Sequence, residues 1–338
     1  MGSLRNRLFL SVLGVAVLAA GQAFAWGATG HRLIGRAAIS ALPSDVPPFL
    51  RDESAAAAIG ELAREPDRWR NAGKAHDNDR DPAHFVDVAD DGSVLGGPAL
   101  SALPESRAAY DAALRGAGSD SWKAGYLPYA ILDGWQQLAK DLAYWRVDAA
   151  GAAKATDRGR RDWFRVDQAQ RQALALRDLG VLAHYVGDGS QPLHVTIHFN
   201  GWRAAENPKG YTNAPIHAAF EGDLVRRSMD EAAVRRAMPP QADTGPDIAR
   251  WTATYLMATH SQVEPLYALQ RVGGLAPDDP RGRAFIAARL GEGAAALRDL
   301  IVAAWGASAA GRVGWPEISV ADVEAGRVDP FDSLYGAD

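Results

Sequence analysis

The segment His184-Tyr-Val-Gly-Asp188-Gly-Ser-Gln-Pro-Leu-His194 concentrates side chains able to grip a metal ion. His184 and Asp188 are four residues apart, so on a helix they share one face, and an imidazole and a carboxylate so placed can hold one cation. Gln191-Pro192 ends such a helix and turns the chain, which brings His194 back toward the same cleft. His217 and Glu221 form a second pair at the same spacing. Either pair alone also reads as an ordinary histidine beside a carboxylate. Together, with a proline turn between His184 and His194, they point to a metal centre.

Other candidates lie upstream. Asp67 falls in Glu65-Pro66-Asp67-Arg68-Trp69-Arg70 at the end of a predicted helix, where a lone aspartate is also a natural cap or ion-paired group. His84 falls in Pro82-Ala83-His84-Phe85-Val86-Asp87. Trp26-Gly-Ala-Thr-Gly-His31, taken by itself, is an aromatic anchor opening a helix, with Thr29 or Gly30 as cap. It follows the three parts of a secretory signal: Arg5 and Arg7, an apolar run from Leu8 to Ala20, and Ala23-Phe24-Ala25 as a small-x-small cleavage site. The apolar run is shorter than the roughly 20 residues needed to span a bilayer. Residues 1–25 are therefore read as a signal peptide, with export to a periplasm or the medium, and cleavage makes Trp26 the first residue.

In this order, the residues resemble the zinc-dependent single-strand nucleases of fungi and plants and the bacterial zinc-dependent phospholipases C. In that superfamily the mature chain begins with Trp, whose α-amino nitrogen and carbonyl oxygen chelate zinc. The resemblance runs from Trp26 to about residue 225 and implies three Zn²⁺ ions. One is held by Asp67, His84, His184 and Asp188, a second by His194, His217 and Glu221, and a third by Trp26, His31 and Asp188, so that Asp188 bridges two metals. It further implies that Arg70 stabilises charge on a phosphate in the transition state. Phe85 is expected to stack a base and Asp87 to hydrogen-bond its edge.

A phosphodiester is anionic and repels ordinary nucleophiles, so its cleavage needs both neutralisation and hydroxide near neutral pH. Two zinc ions roughly 3.5–4 Å apart can share one water and lower its pKa toward 7. The expected nucleophile is that shared water, between the metals bridged by Asp188. The remaining zinc binds a phosphate oxygen and steadies the leaving oxygen. The leading expectation is a nuclease acting on single-stranded DNA or RNA, with 3′-nucleotidase activity and without an obligate protein partner. Two departures favour phospholipase C as the alternative: Glu221 stands where the fungal nucleases have Asp, and Asn200-Gly201-Trp202 replaces a clear Gly-Gly-Asn stretch. A third possibility is an exported zinc-binding protein that keeps the metals for stability alone.

These residues must be positioned by helices. Apolar residues recur at helical spacing at Leu33, Ile34, Ala37, Ala38 and Leu42, and again from Val166 through Ala183. Further helices are predicted over about 54–70, 105–116, 126–146, 216–229, 246–270 and 280–306, with loops at 72–82, 88–104 and 199–215. Period-two alternation is rare, so the expected fold is all-α, a single globular domain over 26–310 of packed helices around a trinuclear zinc cleft. From Arg312 the pattern loses periodicity, and 311–338 is read as an extended C-terminal tail, packed on the surface or partly disordered.

Cysteine is absent, so disulfides and thiolate zinc sites are excluded, and any zinc must be bound through nitrogen and oxygen. The whole chain carries a formal charge of −5; removing the leader leaves 34 basic against 41 acidic side chains, a charge of −7. Such a balance argues against a protein that coats nucleic acid electrostatically, but bound cations could reverse it locally in a cleft.

Overall fold

The computed structural model describes residues 26–204 and 206–336; the expected signal peptide lies outside the described residues. The fold is all-α. Its centre is a hairpin of two long helices, Leu127–Lys154 and Arg158–Gly189, joined by three residues and therefore antiparallel. The first helix, Gly27–Ser40, packs on the second arm, on helix Glu53–Leu62 and on the long helix Pro280–Ala309. Ile34 on that first helix sits where glycines let the backbones approach: a Cβ built on Gly187 or Gly293 would come within 3.3 or 3.2 Å of it. No helix among the described residues is long and apolar enough to cross a membrane.

Side-chain caps define where many of these helices begin. Asp52, Ser106, Asp157, Asp230, Asp247 and Asp279 each accept a hydrogen bond from a backbone N–H in the first turn of the helix that follows. Each such cap stabilises its helix start by about 1 kcal/mol. Pro280 adds a preset φ at the start of the helix that Asp279 caps.

Several boundaries differ from those expected. The predicted loop 72–82 contains helix Lys74–Arg80, followed by a 3₁₀ turn Asp81–His84. Its sequence, Lys-Ala-His-Asp-Asn-Asp-Arg, buries no residue, so no apolar stripe marks it. The predicted helix 54–70 stops at Leu62 and resumes as the single turn Glu65–Arg68, and the predicted helix 246–270 breaks at Ser261-Gln262. Across 216–229 the chain winds as a π-helix, Ala219–Leu224, before a last α-turn, Val225–Ser228. The C-terminal stretch is not an extended tail. Arg312–Val313 pairs antiparallel with Ile318–Ser319, and short helices Val320–Glu324 and Phe331–Tyr335 follow. Val313, Val320 and Val323 form a small apolar cluster with Ala143 and Val147 of the hairpin. Valines spaced too irregularly to show a period in the sequence still find one common surface.

Candidate metal centre

Five separate segments bring the histidines and carboxylates together. His31 comes from the first helix, Asp67 from the turn Glu65–Arg68, and His84 from the end of the 3₁₀ turn Asp81–His84. His184 and Asp188 lie in the last turns of the long helix Arg158–Gly189. Gln191 and Pro192 then turn the chain into a 3₁₀ segment that ends on His194. The side chain of Asn200 accepts from the backbone N–H groups of Ile216 and His217, at 3.0 and 3.2 Å, and so starts the turn that presents His217 and Glu221.

Asp188 is fully buried and is the hub. Its Oδ2 lies 3.1 Å from His84 Nδ1 and 3.3 Å from His184 Nε2, and its Oδ1 lies 3.4 Å from His31 Nε2. His184 Nε2 and His84 Nδ1 are 2.8 Å apart. A few ångströms away, Glu221 Oε2 lies 2.8 Å from His217 Nε2 and 3.7 Å from His194 Nε2. Bonds of 2.0–2.1 Å at a tetrahedral angle put two zinc donor atoms about 3.3–3.4 Å apart, close to these separations. Three groups meet the spacing a metal ion requires: His31, His184 and Asp188; Asp67, His84 and His184; and His194, His217 and Glu221.

Hydrogen bonding tests the fit. Both ring nitrogens of His31 and of His217, His194 Nε2, Asp67 Oδ1 and Asp188 Oδ1 are buried and make no hydrogen bond. Buried polar atoms are rarely left so, because each costs about 1–3 kcal/mol unsatisfied. Here they converge, which is what a donor set for cations requires. The surrounding groups orient the rings. His184 Nδ1 faces the Ala63 carbonyl at 2.8 Å and His194 Nδ1 faces the His84 carbonyl at 2.6 Å. Each Nδ1–H donates to its carbonyl, which fixes the tautomer and turns the Nε2 lone pair inward. Gln191 Nε2 donates to Glu221 Oε2 at 3.3 Å while Gln191 Oε1 accepts from the Leu193 N–H.

The protonation balance agrees. Burial, reinforced by the neighbouring His184, lowers His31 well below its usual range, and burial brings His84 down to about 4. Both rings are therefore neutral ligands near pH 7. Burial alone would raise Asp188, but the charge and hydrogen bond of His184 and the hydrogen bond of His84 outweigh it and hold the carboxylate well below its usual range. Burial likewise opposes the charged form of His194, yet the Glu221 carboxylate 3.7 Å away, with Asp188, prevails and raises it to about 9.

The indole of Trp26 is not at the centre. It is fully buried, donates from Nε1 to Ser190 Oγ at 2.8 Å, and meets the Phe220 ring at 5.5 Å. Trp26 lines one cavity with Asp67 and Glu221, and its carbonyl accepts from the Gly30 N–H at 3.1 Å. Arg70, Phe85 and Asp87 line a second cavity of about 350 Å³ with His84, His194 and His217. Arg70 Nη2 lies 3.6 Å from Asp67 Oδ1. Burial raises Asp87 to about 7. The Phe85 segment is backed by Gly125 at φ +73, where a Cβ would collide with the Phe85 carbonyl oxygen, so only glycine fits there.

The sequence did not single out Lys123, in the helical turn Ser121–Ala124, or Phe199, which line this same cavity. Of the three histidines outside the constellation, expected at the surface or behind the ligands, His198 is buried. It stacks on Trp202 at 3.8 Å and holds Asp90 Oδ1 at 2.9 Å. His260 Nδ1 faces the Val195 carbonyl at 2.8 Å, just beyond His194, and His76 lies 3.5 Å from Asp77. Compared with known protein families and with curated proteins, the chain matches none.

Proposed function

We propose that the protein is an exported zinc-dependent phosphodiesterase that hydrolyses single-stranded DNA or RNA, with 3′-nucleotidase activity alongside. The observation that carries this reading is that two of the three groups able to hold a metal ion contribute His84, His194 and His217 to a cavity that also holds a guanidinium and two phenyl rings. Nitrogen and oxygen donors without thiolate suit zinc. Three ions are proposed: one at Asp67, His84, His184 and Asp188, one at His194, His217 and Glu221, and one at Trp26, His31 and Asp188. Bound zinc supplies Lewis acidity and an acidified water at neutral pH.

The chain's own residues do the rest. Asp188 stays ionised in a buried site, and its two oxygens would help to hold the cations. Arg70, at the cavity wall beside Asp67, presents its guanidinium to a phosphate and compensates negative charge as it builds in the transition state. Phe85 offers a face on which any base can stack, and Asp87 can hydrogen-bond a base edge. With Asp87 raised to about 7, its carboxyl can donate as well as accept near neutral pH.

Phospholipase C is the second reading, favoured by Glu221 at the place where the related nucleases have Asp. The two diverge in a paired assay of zinc-loaded protein on single-stranded DNA and on phosphatidylcholine vesicles. The nuclease reading expects 5′-phosphate ends from the first and no soluble head-group phosphate from the second. Head-group release with intact DNA would make the phospholipase reading correct instead.

A further inference from the structure

A further cavity lies beside the one that holds Phe85. About 590 Å³ in size, it lies across the wall formed by residues 79–85: Arg80, Ala83 and Tyr185 line it, whereas Asp81, His84 and Phe85 line the cavity at the metal centre. Tyr185 connects the two, because its ring meets those of His84 and His184 at 5.6 and 5.5 Å. A cavity of this size holds a nucleotide-sized ligand.

Three arginines line it, and they are arranged on aromatic rings. Arg107 lies 3.5 Å above the Tyr126 ring, and Arg80 and Arg177 each lie 5.6 Å from the Trp69 ring. Arg177 is committed to Asp178 at 2.5 Å, but among the described residues neither Arg80 nor Arg107 has a carboxylate within ion-pair distance. A guanidinium resting on an aromatic face spends its π surface there and keeps its N–H edge for a planar or tetrahedral anion. Tyr185 is 5 % exposed and lines the same cavity. Exposed guanidiniums resting on aromatic rings, Arg80 and Arg107, form a set that suits a phosphodiester carrying a base.

We propose that this cavity is a second strand-binding site, in which Arg80 and Arg107 hold a backbone phosphate of a single-stranded nucleic acid whose neighbouring phosphodiester lies at the metal centre. The inference rests on the nuclease reading above and extends it: the substrate is a polynucleotide that crosses residues 79–85, not a mononucleotide alone. Asp79, Glu105 and Asp133 also line the cavity beside the paired Asp178, and their charge limits its affinity.

Zinc-loaded protein and the Arg80→Ala/Arg107→Ala variant are compared by fluorescence anisotropy with a labelled phosphorothioate oligothymidylate of about 12 nucleotides. Cleavage of a thymidine dinucleotide is measured in parallel. Loss of two phosphate contacts predicts about 10-fold weaker oligonucleotide binding and a log–log salt dependence shallower by about 1.4, with dinucleotide kcat/KM within about twofold of the parent. Glu105→Gln/Asp133→Asn is expected to tighten oligonucleotide binding by about twofold or more, and it keeps the test valid if the arginine variant does not fold. Unchanged oligonucleotide affinity and salt dependence in a folded arginine variant, an equal loss on both substrates, or no gain in the carboxylate variant overturns the second site. Failure of the parent protein to cleave the dinucleotide overturns the nuclease reading instead, while the anisotropy arms still judge the cavity.

Discussion

Asp188 joins the donor groups because each of its oxygens faces a different set of imidazoles, Oδ1 toward His31 and Oδ2 toward His84 and His184. The groups that orient the ligands carry equal weight, and Gln191, which donates to Glu221, is one that mutation can remove. Gln191→Ala is expected to weaken metal binding at His194, His217 and Glu221 by about 10- to 100-fold while sparing the other groups, read by chelator competition. Arg70→Ala is expected to lower turnover on single-stranded DNA by about 100-fold with metal content and melting temperature unchanged. A protein that keeps its metals only for stability would show no loss. At this scale the sequence was informative where ligands were close along the chain. His184, Asp188 and His194 announce themselves through helical spacing and a proline turn. Asp67 and His84 stand alone in the sequence and were picked out by resemblance only. The carbonyls of Ala63 and His84, which orient His184 and His194, lie more than a hundred residues away along the chain, and every residue has a carbonyl, so no residue type marks them.

The long hairpin presents its last turns to the metal centre and carries a cost further along. Asp148 is fully buried between the two arms, and neither of its oxygens makes a hydrogen bond. Burial, with the nearby Asp167, raises it to about 8. Its folded-state pKa is above the unfolded value, so the folded form binds the extra proton. The stability associated with that proton is complete below about pH 4 and is lost as pH rises toward about 8, by up to about 1.4 kcal/mol per pH unit. Asp148→Asn is therefore expected to stabilise the protein, by a margin that grows between pH 5 and pH 8 in urea melts. A margin independent of pH would contradict the assignment. Long helices with apolar stripes were legible from period alone. Helix Lys74–Arg80 was not, because it buries nothing, and the π-turn Ala219–Leu224 was not, because it differs from an α-turn in hydrogen bonding rather than in composition. That turn places Glu221 opposite His194 and His217, and π-turns recur where a helix must serve a site.

Without disulfides, the molecule is held by its helical packing, which encloses a set of buried donors that cations would satisfy. Trp26 connects the two. Its indole is anchored in the core by Ser190 and Phe220, and the residue lines the cavity shared with Asp67 and Glu221. The tryptophan is thus a buried anchor, as its type suggests, whatever its backbone ligates. The proposed function needs both ends of that residue: an indole that fixes position, and a free α-amine produced by cleavage after Ala25. The most direct test counts bound metal and follows single-stranded DNA cleavage in the same sample, for protein beginning at Trp26 and for protein that retains Ala25. The account predicts three zinc ions and cleavage to 5′-phosphate ends for the first, and one ion fewer with severe loss of activity for the second. Three ions and full activity with Ala25 in place would remove the α-amine from the centre, and a fully zinc-loaded protein that leaves single-stranded DNA intact would contradict the account itself.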